Sequence, residues 1–144
     1  MNKVKQILSR KKITPVTIKP EAKVIEALAI MAEKNIGSMI VMNNDRYEGI
    51  ITERDYSRKI VLQGKSSTET TVAEIMSTDL PHINPEMTVD LCMEIMSDKN
   101  IRYLPVFDGE KLIGIVSMSD VVKETIIEQA ETIHHLENYI HSNQ

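Results

Sequence analysis

The chain has 144 residues and a net charge of −4, with a sequence pI near 5.6. That length suits one ordinary domain that buries a core without staples, and the acidic balance argues against broad nucleic-acid binding. A single cysteine, Cys92, excludes an internal disulfide and a cysteine-rich zinc site, and the absence of Trp with only one Phe leaves no aromatic platform for stacked bases.

Residues 1–12 are basic and lack the apolar core of a signal peptide. No apolar run approaches the ~18 residues of a membrane span, so a soluble, cytoplasmic protein is expected. Residues 16–18 read as a short strand stopped by Pro20, and 24–34 as a helix with Val24, Ala27, Leu28 and Met31 on one face. An apolar run over 38–42 predicts a buried strand, Asn43-Asn44-Asp45 a turn, and 47–51 the hairpin partner. A helix over 53–63 stops at Gly64, a favourable C′ residue. After a polar loop, Thr71-Val72-Ala73-Glu74 has the form of a capping box and opens a short turn ending near Met76.

Residues 89–99 then predict a helix with Cys92 as a small core residue. A buried strand over 103–107, an Asp108-Gly109 turn and a return strand over 112–116 follow. The last helix opens after Ser117 and runs well past its counterpart. Val122, Ile126, Ile133, Leu136 and Ile140 form a near-heptad stripe on it, interrupted by Gln129. The stripe is too short for an independent coiled coil; it either packs on its own domain or, since it continues past the repeat's own core, suits a dimer contact.

These elements come twice. Ile18, Pro20, Glu21, Val24, Lys34, Asn35, Ile36, Gly49, Ile50 and Asp55 return 65 residues later as Ile83, Pro85, Glu86, Val89, Lys99, Asn100, Ile101, Gly114, Ile115 and Asp120, with no gap. A repeat of this length marks a supersecondary unit that stacks on its copy, which directs the search for function to clefts between the copies.

One motif recurs with chemical content: Gly49-Ile50-Ile51-Thr52-Glu53-Arg54-Asp55 and Gly114-Ile115-Val116-Ser117-Met118-Ser119-Asp120. Each leaves a strand and starts a helix. Ser/Thr-x-x-Asp at such a place is a plain capping signature, and an acidic first turn complements the helix dipole. The same corner also fits a nucleotide. Free amides at a helix start meet phosphate, glycine permits close approach, and a carboxylate accepts ribose hydroxyls. A cap can be borrowed by a ligand, so the two readings are compatible.

On these residues the chain resembles a tandem CBS-domain pair, the adenosine-nucleotide sensing module named after cystathionine β-synthase. The paired Gly-x-x-[Ser/Thr]-x-x-Asp segments carry the likeness, with the strands over 36–42 and 101–106 and the Val72-Ala73-Glu74-Ile75-Met76 segment. It covers about residues 13–127. The resemblance implies an α/β (α+β) fold of two βαββα repeats related by a pseudo-twofold axis. They lie at 13–64 and 78–127, with a linker over 65–77, a basic segment over 1–12 and a C-terminal helix extension over 128–144.

The resemblance further implies two clefts in which Asp from one unit holds ribose while strands of the other flank adenine. One groups Thr52 and Asp55 with Ile101, Arg102 and Tyr103; the other groups Ser117 and Asp120 with Val16, Gly37 and Ser38. Gly37-Ser38-Met39-Ile40 and Arg102-Tyr103-Leu104-Pro105 differ, so the clefts are expected to differ in affinity or ligand. The implied function is a non-catalytic regulatory module that needs no cofactor. It takes AMP, ADP, ATP or NAD as regulatory ligand, forms a homodimer and signals to a partner protein. The alternative is a nucleotide-independent adaptor for protein contacts.

Cations differ between the copies. Arg54 and Arg58 share a helix face, Lys59 adjoins them and Arg102 belongs to the same implied cleft, whereas the second copy has Ser119, Lys123 and Glu124. Either the arginines meet phosphates, or Asp55 pairs with Arg58 or Lys59 in ordinary ion pairs worth tenths of a kcal/mol. His134 and His135 point about 100° apart, and His134 and His141 lie roughly 10 Å apart along a helix, so no metal site is read there. No Ser-His-Asp order, Walker loop or paired-carboxylate cleft supports an enzyme.

Overall fold

The computed structural model describes residues 1–12 and 14–142. In chain order its elements are α1 (Val4–Arg10), β1 (Thr17–Ile18), α2 (Val24–Lys34), β2 (Ser38–Asn43), β3 (Arg46–Thr52), α3 (Glu53–Tyr56), α4 (Val72–Ile75), α5 (Val89–Lys99), β4 (Tyr103–Asp108), β5 (Lys111–Ser117) and α6 (Met118–Ser142). They form two compact units, one over Thr14–Leu80 and the other combining Met1–Ile13 with Pro81–Gln144. The fold is mixed α/β with two small sheets.

In the unit over Thr14–Leu80, β1 runs parallel to β2 and β2 pairs antiparallel with β3. Asn44 turns the hairpin at φ 56, and Asn35 ends α2 at φ 53. Asparagine tolerates this left-handed conformation better than most residues. Val24, Ala27 and Met31 of α2 pack with Met39, Val41 and Ile51 of the sheet, and Val72 and Ile75 of α4 complete the core. The continuous α-helix expected over 53–63 is not formed. After α3 the chain widens into a π-helix over Ser57–Val61, closed by Leu62 N–H to Ser57 O at 3.1 Å. This stretch buries Ile60 and turns the Lys59 amine back to Asp55. Gly64 follows at φ 66.

In the other unit β4 and β5 form an antiparallel pair with a bulge at Val106/Phe107, matching the bulge at Val41/Met42. The counterpart of β1 shrinks to one parallel bridge, Ile83 to Val106. Pro105 explains the shortening: it stands where Ile40 of the first copy donates its N–H to Val16 O, and proline has no N–H to give.

Residues 1–12, set apart from the repeats on sequence, contain α1 and supply core to this unit. Val4 and Ile7 are buried against Ile83, Val89, Cys92, Leu104 and Val121. The peptide hydrogen bonds identify what α1 is. Val4 and Lys5 donate to Met87 and Pro85, as Val72 and Ala73 of α4 donate to Ala22 and Pro20. The two helices therefore correspond at a shift of 68 residues, against 65 elsewhere. Five cations among residues 1–12 make the segment read as a tail, although Val4, Ile7 and Leu8 keep the spacing of Val72, Ile75 and Met76.

Candidate functional site

Each unit has the same strand-to-helix corner. At the first, Thr52 ends β3 with φ −127 and ψ 163 and caps α3. Its Oγ1 accepts from Asp55 N–H at 3.1 Å, and Asp55 Oδ2 accepts from Thr52 N–H and Oγ1, both at 3.0 Å. The other oxygen, Oδ1, accepts from Ser77 Oγ at 2.9 Å and forms an ion pair with Lys59 Nζ at 3.0 Å, while that amine donates its hydrogen bond to Ile75 O. Asp55 is buried. A carboxylate offers about four acceptor positions, and here three hydrogen bonds and an ion pair occupy its two oxygens.

At the second corner Ser117 ends β5, its Oγ accepts from Asp120 N–H at 3.1 Å, and Asp120 Oδ2 accepts from Ser117 N–H at 2.9 Å. Lys11 Nζ donates to the same Oδ2 at 2.9 Å and to Ile115 O at 2.9 Å. Among the described residues, Asp120 Oδ1 accepts no hydrogen bond. Both corners are thus capped as the sequence signature predicts, but their countercharges have different origins. Lys59 lies four residues from its Asp, and Lys11 lies 109 residues away.

Four residues beyond Asp120 stands Glu124, in the position of Lys59. It is buried, accepting from Asn2 Nδ2 at 2.5 Å and Arg10 Nε at 2.7 Å. The hydrogen bond and charge of Glu124 raise the Arg10 pKa above its ordinary value. Lys11, Arg10 and Ser77 are the contributors that sequence reasoning missed. Each reaches its carboxylate from distant chain, 109, 114 and 22 residues away, and no local spacing signals them.

The two glycines of the motif have packing reasons. A Cβ on Gly49 would stand 2.6 Å from Ser77 O, where Ile50 and Ser77 exchange hydrogen bonds of 3.0 and 2.8 Å. One on Gly114 would stand 2.9 Å from Leu8 Cδ2. In both copies glycine admits the chain that follows α4 or the side chains of α1.

The remaining candidates fall within the units as follows. Ser38 opens β2 opposite Thr52, Gly37 O accepts from Glu53 N–H at 3.1 Å, and Val16 O accepts from Ile40 N–H at 3.1 Å. Arg54 is half-buried in α3, and Arg58 is exposed. Tyr103 pairs with Ser117 across β4 and β5, Ile101 lies beside it half-buried, and Arg102 and Ser119 are exposed. Of the proposed ion pairs to Asp55, the structure makes the one with Lys59. Cys92 lies in the core, and burial pushes its thiol up to about 11. Among the described residues no group of three or more His, Cys, Asp or Glu is placed to hold a metal, and no helix is long and apolar enough to cross a membrane.

The CBS domain model matches the chain twice, over residues 4–62 and 72–126. The chain belongs to the CBS domain family. The first match begins at Val4, so it includes α1. The mitochondrial CBS domain-containing protein CBSX3 of Arabidopsis thaliana is 39% identical over 122 residues. That match takes 81% of this chain and 59% of the relative, so the chain spans well under two thirds of that protein. The crystal structure of the CBS domain protein NE2398 superposes with a TM-score of 0.82 at 40% identity, over 88% of this chain and 99% of that one. The CBS domain pair of protein MJ0100, solved with 5′-methylthioadenosine and S-adenosyl-L-methionine, superposes with a TM-score of 0.76 at 26% identity, over 89% and 98% of the two chains.

Proposed function

We propose that this CBS-domain pair is a non-catalytic regulatory module that binds an adenosine compound and passes the occupied state to a partner protein. The ligand class spans AMP, ADP, ATP, NAD and the S-adenosyl compounds, and the site of action is the cytoplasm. The observation that carries the reading is the Asp120 corner. Its carboxylate has one oxygen without a donor among the described residues, at the N-terminus of α6, in a chain similar to a CBS pair solved with two adenosine compounds. A ribose hydroxyl donating to Asp120 Oδ1 breaks no existing bond. At Asp55 it must displace Ser77 or Lys59. The Asp120 corner therefore fills first.

In this reading Thr52, Arg54, Asp55 and Arg58, with Val16, Gly37 and Ser38, are the ligand contacts of one unit. Ser117, Ser119 and Asp120, with Ile101, Arg102 and Tyr103, are those of the other. Arg54 and Arg58 give the Asp55 corner the greater preference for phosphate, because Ser119 and Lys123 stand in their places at Asp120. A nucleotide-independent adaptor remains the second reading, and the saturated carboxylate of Asp55 favours it at that corner.

Thermal shift and calorimetry with AMP, ADP, ATP, NAD and S-adenosylmethionine test the proposal. A ligand at a hundredfold excess over its Kd stabilises the fold by about 2.7 kcal/mol. Asp120→Ala is expected to weaken the first binding event tenfold or more, and Asp55→Ala far less. Arg54→Ala and Arg102→Ala are expected to weaken ATP more than AMP. A flat response to every adenine compound overturns the proposal in favour of the adaptor.

A further inference from the structure

Helix α6 continues for 25 residues from Met118 to Ser142, and everything beyond residue 126 lies outside the segment matched by the CBS domain model. One face is committed to its own unit. Val121 and Glu124 are buried, Glu124 holds Asn2 and Arg10, Glu128 accepts from Asn2 N–H, and Glu131 faces Arg10 at 3.9 Å. At 100° per residue, positions 122, 126, 129, 133, 136 and 140 lie on the opposite face. Five of the six are apolar, and Val122, Ile126, Ile133, Leu136 and Ile140 are each 46–59% exposed. Their spacings of 4, 3, 4, 3 and 4 are those of alternating d and a positions in a heptad.

We propose that this stripe is the seat of a second copy of the chain, with the two α6 helices paired antiparallel. The inference deepens the homodimer expected from the sequence and does not depend on nucleotide binding. Charge decides both partner and direction. The flank beside the stripe carries Lys123, Ala130 and Glu137 in turn. A twofold axis near residue 131 layers 122 on 140, 126 on 136 and 129 on 133, and brings Lys123 to Glu137 of the partner copy twice. A parallel pairing instead sets Thr125 against Ala130 and Thr132 against Glu137, with no opposite charges in register. The antiparallel layers also put the two Gln129 amides about 6 Å apart along the axis, within reach of each other's side chains. The isologous contact closes on itself and limits assembly through this face to two copies. Because α6 is already built onto its unit through Glu124, the nucleation cost that weakens an isolated short helix is met within the monomer.

Sedimentation of the full chain across micromolar concentrations, paired with disulfide trapping, tests this. The wild type is expected to be a dimer that Ile133→Lys weakens at least tenfold. Lys123→Glu is expected to weaken it a few fold, and Lys123→Glu combined with Glu137→Lys to restore it. Ile126→Cys and Leu136→Cys chains are expected to crosslink when mixed and not when oxidised separately. Circular dichroism confirms that the variants keep the fold, since each altered side chain is solvent-exposed. A monomer at all concentrations overturns the proposal, as does crosslinking of Ile126→Cys with itself. A dimer indifferent to Ile133→Lys and Lys123→Glu also overturns it, and would place self-association on another surface. None of these outcomes alters the nucleotide titrations.

Discussion

Asp55 and Asp120 occupy the same point of the repeat, each capping a helix through a Thr or Ser three residues earlier. Asp55 goes on to take Ser77 and Lys59 on its second oxygen, whereas Asp120 takes Lys11 on the oxygen already engaged and leaves the other without a donor among the described residues. The shared part comes from a local motif, since a capping pair needs only four consecutive residues. The unshared part comes from distant chain. Ser77 lies 22 residues from Asp55, and Lys11 lies 109 from Asp120. Duplication preserved the cap and let the counterions diverge. A binding site with identical local chemistry can then sit at one corner saturated and at the other half-open.

The comparison extends to α1 and α4, the short helices that complete the core of each unit, and there the largest effect is expected. If α1 is to one unit what α4 is to the other, Ile7→Ala and Ile75→Ala should both cost about 2–5 kcal/mol, the range for truncating a buried Ile. Ile7 is 2% exposed and Ile75 1%. Urea unfolding measures both. A change within about 0.5 kcal/mol for Ile7→Ala would mean that residues 1–12 behave as a surface tail.

The next effect separates the two carboxylates directly. Asp55→Ala removes an acceptor of three hydrogen bonds and an ion-pair partner of Lys59, from a side chain 7% exposed, and leaves Ser77 to find another partner. Asp120→Ala removes an acceptor of two from a side chain 14% exposed, beside a lysine 34% exposed that regains water. Losses of about 2–3 and about 1 kcal/mol are expected, from a cap plus charged hydrogen bonds against a cap with little more. Equal losses would show that the extra donors at Asp55 contribute nothing. The ligand titrations run in the opposite order, with Asp120→Ala the more damaging, so stability and binding together distinguish a cap from a site.

The elements and the caps were legible because they rest on short-range rules. The hairpins at Asn44 and Gly109 and the paired Thr52/Asp55 and Ser117/Asp120 follow from spacing within a few residues, and the 65-residue repeat doubles each of these signals. Three features did not. Lys59 was one of two cations in reach of Asp55, and spacing does not choose between i,i+3 and i,i+4; the π-helix settled it. Ser77 and Lys11 reach their carboxylates through tertiary packing, which no local pattern encodes. Helix α1 was obscured by charge, because Lys3, Lys5, Arg10, Lys11 and Lys12 mask the apolar trio Val4, Ile7 and Leu8.

That masking charge supplies the last and smallest test. Where α4 presents Thr71 and Ala73, α1 presents Lys3 and Lys5, and both lysines reach Glu86, at 3.0 and 3.3 Å. Hydrogen bonds from Lys3 and Lys5 hold the Glu86 carboxyl below its ordinary 4.5. A depressed carboxylate contributes stability that is present above the unfolded value and lost as pH falls through the folded one, so the contribution fades below pH 4.5. All three side chains are 41–64% exposed, so the effect on unfolding is small and salt-screened. Carboxyl carbon titration by NMR resolves it, with Lys3→Ala and Lys5→Ala together returning Glu86 to the ordinary range. If α1 is instead held by Val4 and Ile7 alone, Glu86 titrates unchanged in that double variant. The pairing would then be incidental to a helix seated by the same apolar contacts as α4.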